Sequence, residues 1–484
     1  MQSVITLKEV ERRVNLAQAS ANRRRLGTAA AVMLSLFLTA CTVGPNYQRP
    51  VVTTPETWRA EAPATKVDLE WWNQFQDPAL RDLIREALES SHDLRIAVAR
   101  VDQARALAGV TRADQFPTVN AGASASKRRF SDTTEPRGFG GESNRFAVAA
   151  DLSFELDLWG RLRRANEAAR AELLATEEAR NVVQMTLVSD IATAYLRLRQ
   201  LDLELETTRR NVTSRRDSLQ IVRDRYEAGL TSALDLHQAE AGLALTAARV
   251  PELERLIAQT ENQLSILVGV PPRAIARGGD LTAQTAPPEI PAGLPSDLLE
   301  RRPDIRLAEA ALVASNARIG VAKAESFPRI SLTGLLGVES ADLSDLFRSG
   351  SRAWSVGGGL TQPIFNAGRT RNNIEFAEAR QREALIAYEQ TIYQSFRDVE
   401  DALIAHRKSR EALAEQTIAV RASRQALDVA ESRYRSGLTT YLDVLDAQRT
   451  LLAAEVEESR TLLTQLVAVV QLYRALGGGW ELRG

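Results

Sequence analysis

Two stretches of this chain, 161–228 and 369–436, run for 68 residues each without a Gly or a Pro. Both open on the Arg of a Gly-Arg pair, and both stop at a Gly. Ala, Leu, Arg, Glu and Gln dominate them, which is helix-forming composition. Leu187, Ile191, Ala194, Leu198 and Leu201 keep the three-four spacing of a helix face. At 1.5 Å per residue a continuous helix of this length reaches roughly 100 Å, far beyond the usual helix.

The two stretches belong to a tandem duplication. Arg225 to Glu240 reads RYEAGLTSALDLHQAE, and Arg433 to Gln448 reads RYRSGLTTYLDVLDAQ, with eight of sixteen positions identical at an offset of 208. Gly160-Arg161 recurs as Gly368-Arg369 and Asp190 as Asp398 at the same offset; Phe116-Pro117 recurs as Phe327-Pro328. That period is too long for a stacked solenoid unit, so each copy is a large unit built twice. A second helical run follows each phrase, about 231–268 and 438–476. The phrase is therefore a turn between long antiparallel helices, with Gly229 and Gly437 supplying left-handed geometry. Pro251 breaks the first return helix, and the second has no proline.

Strand patterns precede the long helices. Phe146, Val148, Ala150, Leu152, Phe154 and Leu156 share one face, with Ala147, Ala149, Asp151, Ser153 and Glu155 on the other. Ile330, Leu332, Leu336 and Val338 alternate with polar residues, as do Trp354, Val356 and Leu360; 117–127 alternates weakly among small residues. Gly357-Gly358-Gly359 reads as a bend in the last strand. A soluble sandwich edge shares this period-two pattern, but four strands of about ten residues with polar connections at Lys127–Ser143 and Glu339–Gly350 match a membrane barrel. Four strands cannot close around a water-filled lumen. Three chains give twelve, so the pattern points to a trimer. No later segment offers about 20 consecutive apolar residues, so a membrane span must be made of strands.

Arg23-Arg24-Arg25 followed by apolar Leu26 to Ala40 has the build of a signal peptide. It ends Leu38-Thr39-Ala40-Cys41, and Cys41 is the only cysteine. The sequence thus divides into a leader (1–40), an N-terminal segment beginning at Cys41 (41–75), a first repeat (76–285) and a second repeat with a tail (286–484). A single cysteine excludes an intrachain disulfide, and three scattered histidines give no metal-ligand spacing. Without residues 1–40 the chain carries 55 basic against 60 acidic residues. That balance excludes a polybasic nucleic-acid binder.

Several phrases resemble one family, the outer-membrane factors or TolC-type efflux ducts, in the lipoprotein branch of the OprM/NodT type. Leu38 to Cys41 resembles a lipobox, and Cys41-Thr-Val-Gly-Pro-Asn-Tyr-Gln-Arg-Pro50 the mature start that follows it. Trp71-Trp72, Phe75 and Asp77-Pro78 resemble the next block, and Leu298-Leu-Glu-Arg-Arg-Pro-Asp-Ile305 is the most specific phrase. Phe327-Pro328, Gln362-Pro363-Ile364-Phe365 and the repeated turn complete the set. The resemblance implies a mainly α fold with a β-barrel part. Tandem-duplicated helical hairpins would form a periplasmic α-barrel, and four strands per chain a trimeric twelve-stranded outer-membrane barrel. It also implies a diacylglycerol and an N-acyl chain on Cys41, with no other cofactor.

No catalytic constellation appears. Asp443 and Asp446 are three apart and share a helix face, but no companion base makes them a hydrolase pair. By resemblance they ring the periplasmic entrance of the tunnel; a solvated helix face is the plainer alternative. Asp235 is the duplicate of Asp443, while Gln238 stands where Asp446 has its counterpart, so only the second hairpin carries two charges. Tyr434 and Asp235 match residues that hold such entrances closed. Thr439 stands where the archetype has a basic residue, which departs from the pattern. Gly229-Leu230 and Gly437-Leu438 match the turns that meet an adaptor, although a structural turn also needs those glycines. Arg301-Arg302-Pro303-Asp304 reads as the start of a helix.

The expected function is passive export of small molecules through the outer membrane. The expected partners are two further copies of the chain, a periplasmic adaptor (membrane fusion protein), an inner-membrane RND-type pump and outer-membrane lipid. A type I protein-secretion duct and a non-conducting trimeric lipoprotein are the alternatives.

Overall fold

The computed structural model describes residues 42–59, 71–130, 141–284, 292–293 and 295–478. The leader and Cys41 lie outside them. The elements run α1 (Pro78–Ser90), α2 (His92–Ala113), β1 (Thr118–Phe130), β2 (Gly141–Leu156), α3 (Arg161–Glu227), α4 (Ala233–Ala247) and α5 (Arg249–Val268). The second repeat continues with α6 (Pro303–Ala324), β3 (Arg329–Ser340), β4 (Arg352–Thr361), α7 (Arg369–Arg435) and α8 (Tyr441–Ala475). Helices α3 and α7 have 67 residues each, so both proline-free windows are continuous helix. Each starts after a glycine of positive φ, Gly160 at 79° and Gly368 at 83°. That is the physical reason for the recurring Gly-Arg pair.

The first return helix is broken as the proline requires. Pro251 would crowd the carbonyl of Ala247, four residues back, and α4 ends at Ala247. Its counterpart α8 runs unbroken for 35 residues. Helix α6 starts at Pro303, where a proline lacks nothing, because the first-turn N–H has no helical acceptor.

Two compact units each take parts of both repeats. One comprises residues up to Arg49, Arg105–Glu172 and Ala311–Ala384; the other comprises Pro50–Ala104, Leu173–Ala310 and Leu385–Gly484.

The first unit holds an antiparallel meander in the order β1-β2-β3-β4. Its register puts Val119, Leu152, Gly334 and Val356 in one row, then Ala121, Ala150, Leu336 and Trp354 in the next. One face is therefore apolar across all four strands. The other carries Asn120 bonded to Asp151 at 3.0 Å and Arg145 paired with Glu339 at 2.8 Å. The apolar face is bare among the described residues: Trp354 is 75% exposed and Leu336 70%. The β1–β2 pairing runs to Phe130 and Gly141, beyond the expected strand ends, with Lys127 bridging to Glu142. Gly357 to Gly359 pair with Thr333 to Ser331 without a skipped residue, so the triplet makes no bulge. A Cβ at Gly357 or Gly359 would crowd the Thr333 or Ser331 hydroxyl, at 3.2 and 3.1 Å. The glycines make room for cross-strand neighbours.

Near the sheet, Trp159 stacks on Phe327 at 4.7 Å and donates to the Pro328 carbonyl. Asp157 accepts from the Leu162 and Arg163 amides and caps α3. The segment after Cys41 is clamped in the same unit. Buried Arg164 donates to the Val43 and Gly44 carbonyls and to Asn46, and Asn316 donates to the Pro45 carbonyl. Gly44 lies against Gly320, where an added Cβ would meet backbone at 2.5 Å.

In the second unit Trp71 stacks on Tyr473 at 5.7 Å and meets Trp72 and Phe75 edge-on. Buried Asp77 caps α1 through the Ala79 and Leu80 amides and accepts from Tyr195 and Gln284. Burial pushes the Tyr195 phenol well above its usual range. The Trp-Trp and Asp-Pro motifs are thus structural anchors. Among the described residues no helix is long and apolar enough to cross a membrane.

Candidate functional site: the paired hairpin turns

All candidate residues except Cys41 lie at the two turns. Each turn closes α3 or α7 with the same pair of bonds. Gly229 donates to the Tyr226 carbonyl at 2.9 Å and Leu230 to Arg225 at 2.7 Å; Gly437 donates to Tyr434 at 3.0 Å and Leu438 to Arg433 at 2.9 Å. With φ of 70° and 73° at the glycines, these are two Schellman caps. The leucine after such a glycine commonly packs back on its own helix. Here Leu230 and Leu438 stay about two-thirds exposed, and Leu234 and Leu442 lie exposed one turn further on. Each tip thus presents two leucines to its surroundings.

The carboxylates are fixed locally. Asp235 and Ser232 form a reciprocal cap at the start of α4, and the Thr231 hydroxyl donates to Asp235 at 2.5 Å. In the second copy the Thr439 hydroxyl donates to Asp443. Both threonines lie two residues past the turn glycine. The departure at Thr439 therefore has a definite role, tethering the first of the paired carboxylates. Asp443 and Asp446 are both exposed on α8, and negative charge in its first turn suits the helix dipole.

Between the hairpins lies a core of Leu219, Val222 and Ala239 against Val420, Leu427, Tyr434, Tyr441, Val444 and Leu445. Tyr434 and Tyr441 meet edge-on at 5.6 Å. The Arg225 guanidinium lies 5.0 Å over the Tyr434 ring and donates to the Tyr434 carbonyl at 3.3 Å. The Tyr434 hydroxyl is buried without a partner, so no hydrogen bond joins it to Asp235. Burial raises the Tyr441 phenol above its ordinary value, against the pull of Arg215, and brings buried Arg215 below its own. Gly242 leaves room for that side chain: a Cβ there would meet Arg215 Nη1 at 2.9 Å. Among the described residues no cluster of His, Cys, Asp and Glu could hold a metal.

Arg225, Thr231, Leu234 with Leu442, and Tyr441 were not singled out by motif. For the first three the signal was present, because each recurs at the 208-residue offset.

A sheet with a bare apolar face and hairpins of 67-residue helices define an outer-membrane channel subunit. The chain belongs to the outer membrane efflux protein family, whose sequence pattern matches twice, over residues 83–270 and 294–478. It is 39% identical over 459 residues to the solvent efflux pump outer membrane protein SrpC of Pseudomonas putida, covering 92% of this chain and 97% of that one. To the outer membrane protein OprJ of Pseudomonas aeruginosa it is 37% identical over 473 residues, covering 93% and 96%. Its fold superposes on the open-state MtrE outer membrane channel of Neisseria gonorrhoeae with a TM-score of 0.82, at 33% identity, over 91% of this chain and 99% of that one. The protein is an efflux exit duct of the outer membrane.

Proposed function

We propose that three copies of this chain form the duct, with twelve strands closing a barrel in the outer membrane and six helical hairpins lining a periplasmic tunnel. The carrying observation is the four-stranded sheet. One face is apolar in register, the other is polar, and among the described residues β1 and β4 each have one unpaired edge. Such edges promote uncontrolled pairing unless closed, and an apolar outside with a polar inside is what a lipid-embedded pore requires.

Asp443 and Asp446, with Asp235 and Tyr434 behind them, form the periplasmic gate. Three chains bring six carboxylates from α8 around one axis. The exposed leucine pairs at the turns dock a periplasmic adaptor, which joins the duct to an inner-membrane RND-type pump that supplies the energy. The cargo is small molecules; relatives named for solvent efflux support that class. Cys41 carries the diacylglycerol and N-acyl chains. The clamp on residues 43–46 supports an anchor there, because it holds the segment next to Cys41 against α3 and α6.

Planar-bilayer recording of the purified protein tests the duct. Discrete conductance steps are expected, larger once the gate carboxylates are removed; no conductance in either form would overturn the reading. For the anchor, Cys41→Ser is expected to abolish labelling by radioactive palmitate. Labelling that persisted in that variant would rule out Cys41 as the lipid site.

A further inference from the structure

The duplication converts a contact inside the chain into a statement about the next chain. Within the chain the first hairpin grips the second through Ser218, Ile221, Val222 and Arg225. Ser218 accepts from Gln448 at 2.9 Å, Val222 is fully buried in the inter-hairpin core with Ile221 packed against it, and Arg225 covers Tyr434. Their counterparts, 208 residues on, are Ala426, Val429, Ala430 and Arg433. All four line one open groove of about 520 Å³ beside the second turn, together with Thr439 and Asp443. The gripping face is thus repeated on the second hairpin, where Ala426, Val429 and Arg433 are open to solvent, Val429 being 58% exposed, while Ala430 is half-buried against the inter-hairpin core.

The gripped face is repeated as well. The counterpart of Tyr434 is Tyr226, on the first hairpin. Tyr434 is 6% exposed, whereas Tyr226 is 43% exposed. One chain therefore carries a used and an unused version of both halves of the same contact. The unused halves sit on different hairpins. A contact of this head-to-tail kind closes into a ring when copies are added around an axis.

We propose that the groove is filled by the first hairpin of a second copy of this chain, with the Arg433 guanidinium lying over the Tyr226 ring of that copy. The assignment rests on the trimeric reading above and extends it to named residues. The ring of six hairpins then alternates two kinds of seam, three within chains and three between them. The seams between copies are the weaker ones. Tyr441 has Ala233 as its counterpart, so the aromatic edge contact has no second version. The Gln448–Ser218 hydrogen bond becomes Glu240 opposite Ala426, and Glu240 is already paired with Arg223 and His237. The cation over the ring is the part of the contact that both seams keep.

The test uses the full-length protein in outer membranes, carrying Arg433→Cys and Tyr226→Cys together and treated with a short bis-maleimide. The expected result is a covalent trimer on denaturing gels, with either single variant staying at monomer mass. The pair Arg225→Cys with Tyr434→Cys is the reference, and is expected to link within one chain and stay at monomer mass. Light scattering on the untreated protein separates the two readings. A trimeric mass without covalent trimer would overturn the Arg433–Tyr226 contact alone; a monomeric mass would overturn the trimer and the contact with it.

Discussion

Alanine at both Asp443 and Asp446 is expected to raise the resting conductance of the reconstituted duct several-fold and to weaken its block by divalent cations by roughly ten-fold or more, the lower end of what clustered charge does to local counter-ion concentration. Both carboxylates are exposed on α8 within the chain. Three copies would set six of them around one opening, and like charges so placed attract cations. Size and charge separate by comparison with asparagine. Asp443→Asn with Asp446→Asn keeps the bulk and an acceptor for the Thr439 hydroxyl, but removes the charge. It should reproduce the loss of cation block and raise the conductance less than alanine does. Gln238→Asp works in the opposite direction, since it gives the first hairpin the second charge it lacks. Its channels should be blocked at lower cation concentration. Current and divalent sensitivity both unchanged in the double alanine variant would refute the gate.

The elements most legible in the sequence were those governed by backbone chemistry. A 68-residue window without Gly or Pro became a 67-residue helix twice, because nothing within it interrupts the hydrogen-bond ladder. The turn glycines and the proline break followed for the same reason. The two faces of the sheet were legible from alternation, and the register carries that alternation intact across four strands. Strand β1 was the weakest reading, since its Ala, Gly and Ser residues bury little whichever way they point. Pairing with β2 over thirteen residues fixes it instead.

The tertiary contacts of the site were not legible. Arg225 over Tyr434 joins residues 209 apart. It depends on which faces of two long helices meet, and helices with apolar residues on several sides do not announce one face. The same holds for Trp71 on Tyr473 and for Gly44 against Gly320. Motif resemblance marked Trp71-Trp72 and Gly44 as significant, but their packing partners come from the far repeat. The duplication does better than periodicity here. It names pairs of positions, and the structure then shows which member of each pair is already in use.

Arg302 is where a single substitution should cost the fold most. The residue is 5% exposed. Its Nε and Nη2 donate to the Asp304 carboxylate at 3.0 and 2.6 Å, Nη2 also reaches Asp398 at 3.4 Å, and Nη1 donates to the Ala475 carbonyl at 2.9 Å. One guanidinium thus ties the start of α6, the middle of α7 and the last carbonyl of α8. That carbonyl has no helical donor of its own. Arg302→Ala removes the cation from two carboxylates and opens a space in a packed junction. The expected loss is about 3 kcal/mol, the low end for breaking a buried pair. The low end applies because Asp398 keeps its bond to Arg397 at 2.7 Å and Asp304 still accepts from the Ile305 amide. Lysine should fall between the two. It restores a positive charge near the carboxylates, but a compact ammonium on a flexible stem cannot reproduce a planar fork that reaches three acceptors. Denaturant unfolding followed by the helical circular dichroism signal should therefore rank wild type above lysine and lysine above alanine. An alanine variant with the wild-type midpoint would show that the junction is held by its apolar packing alone.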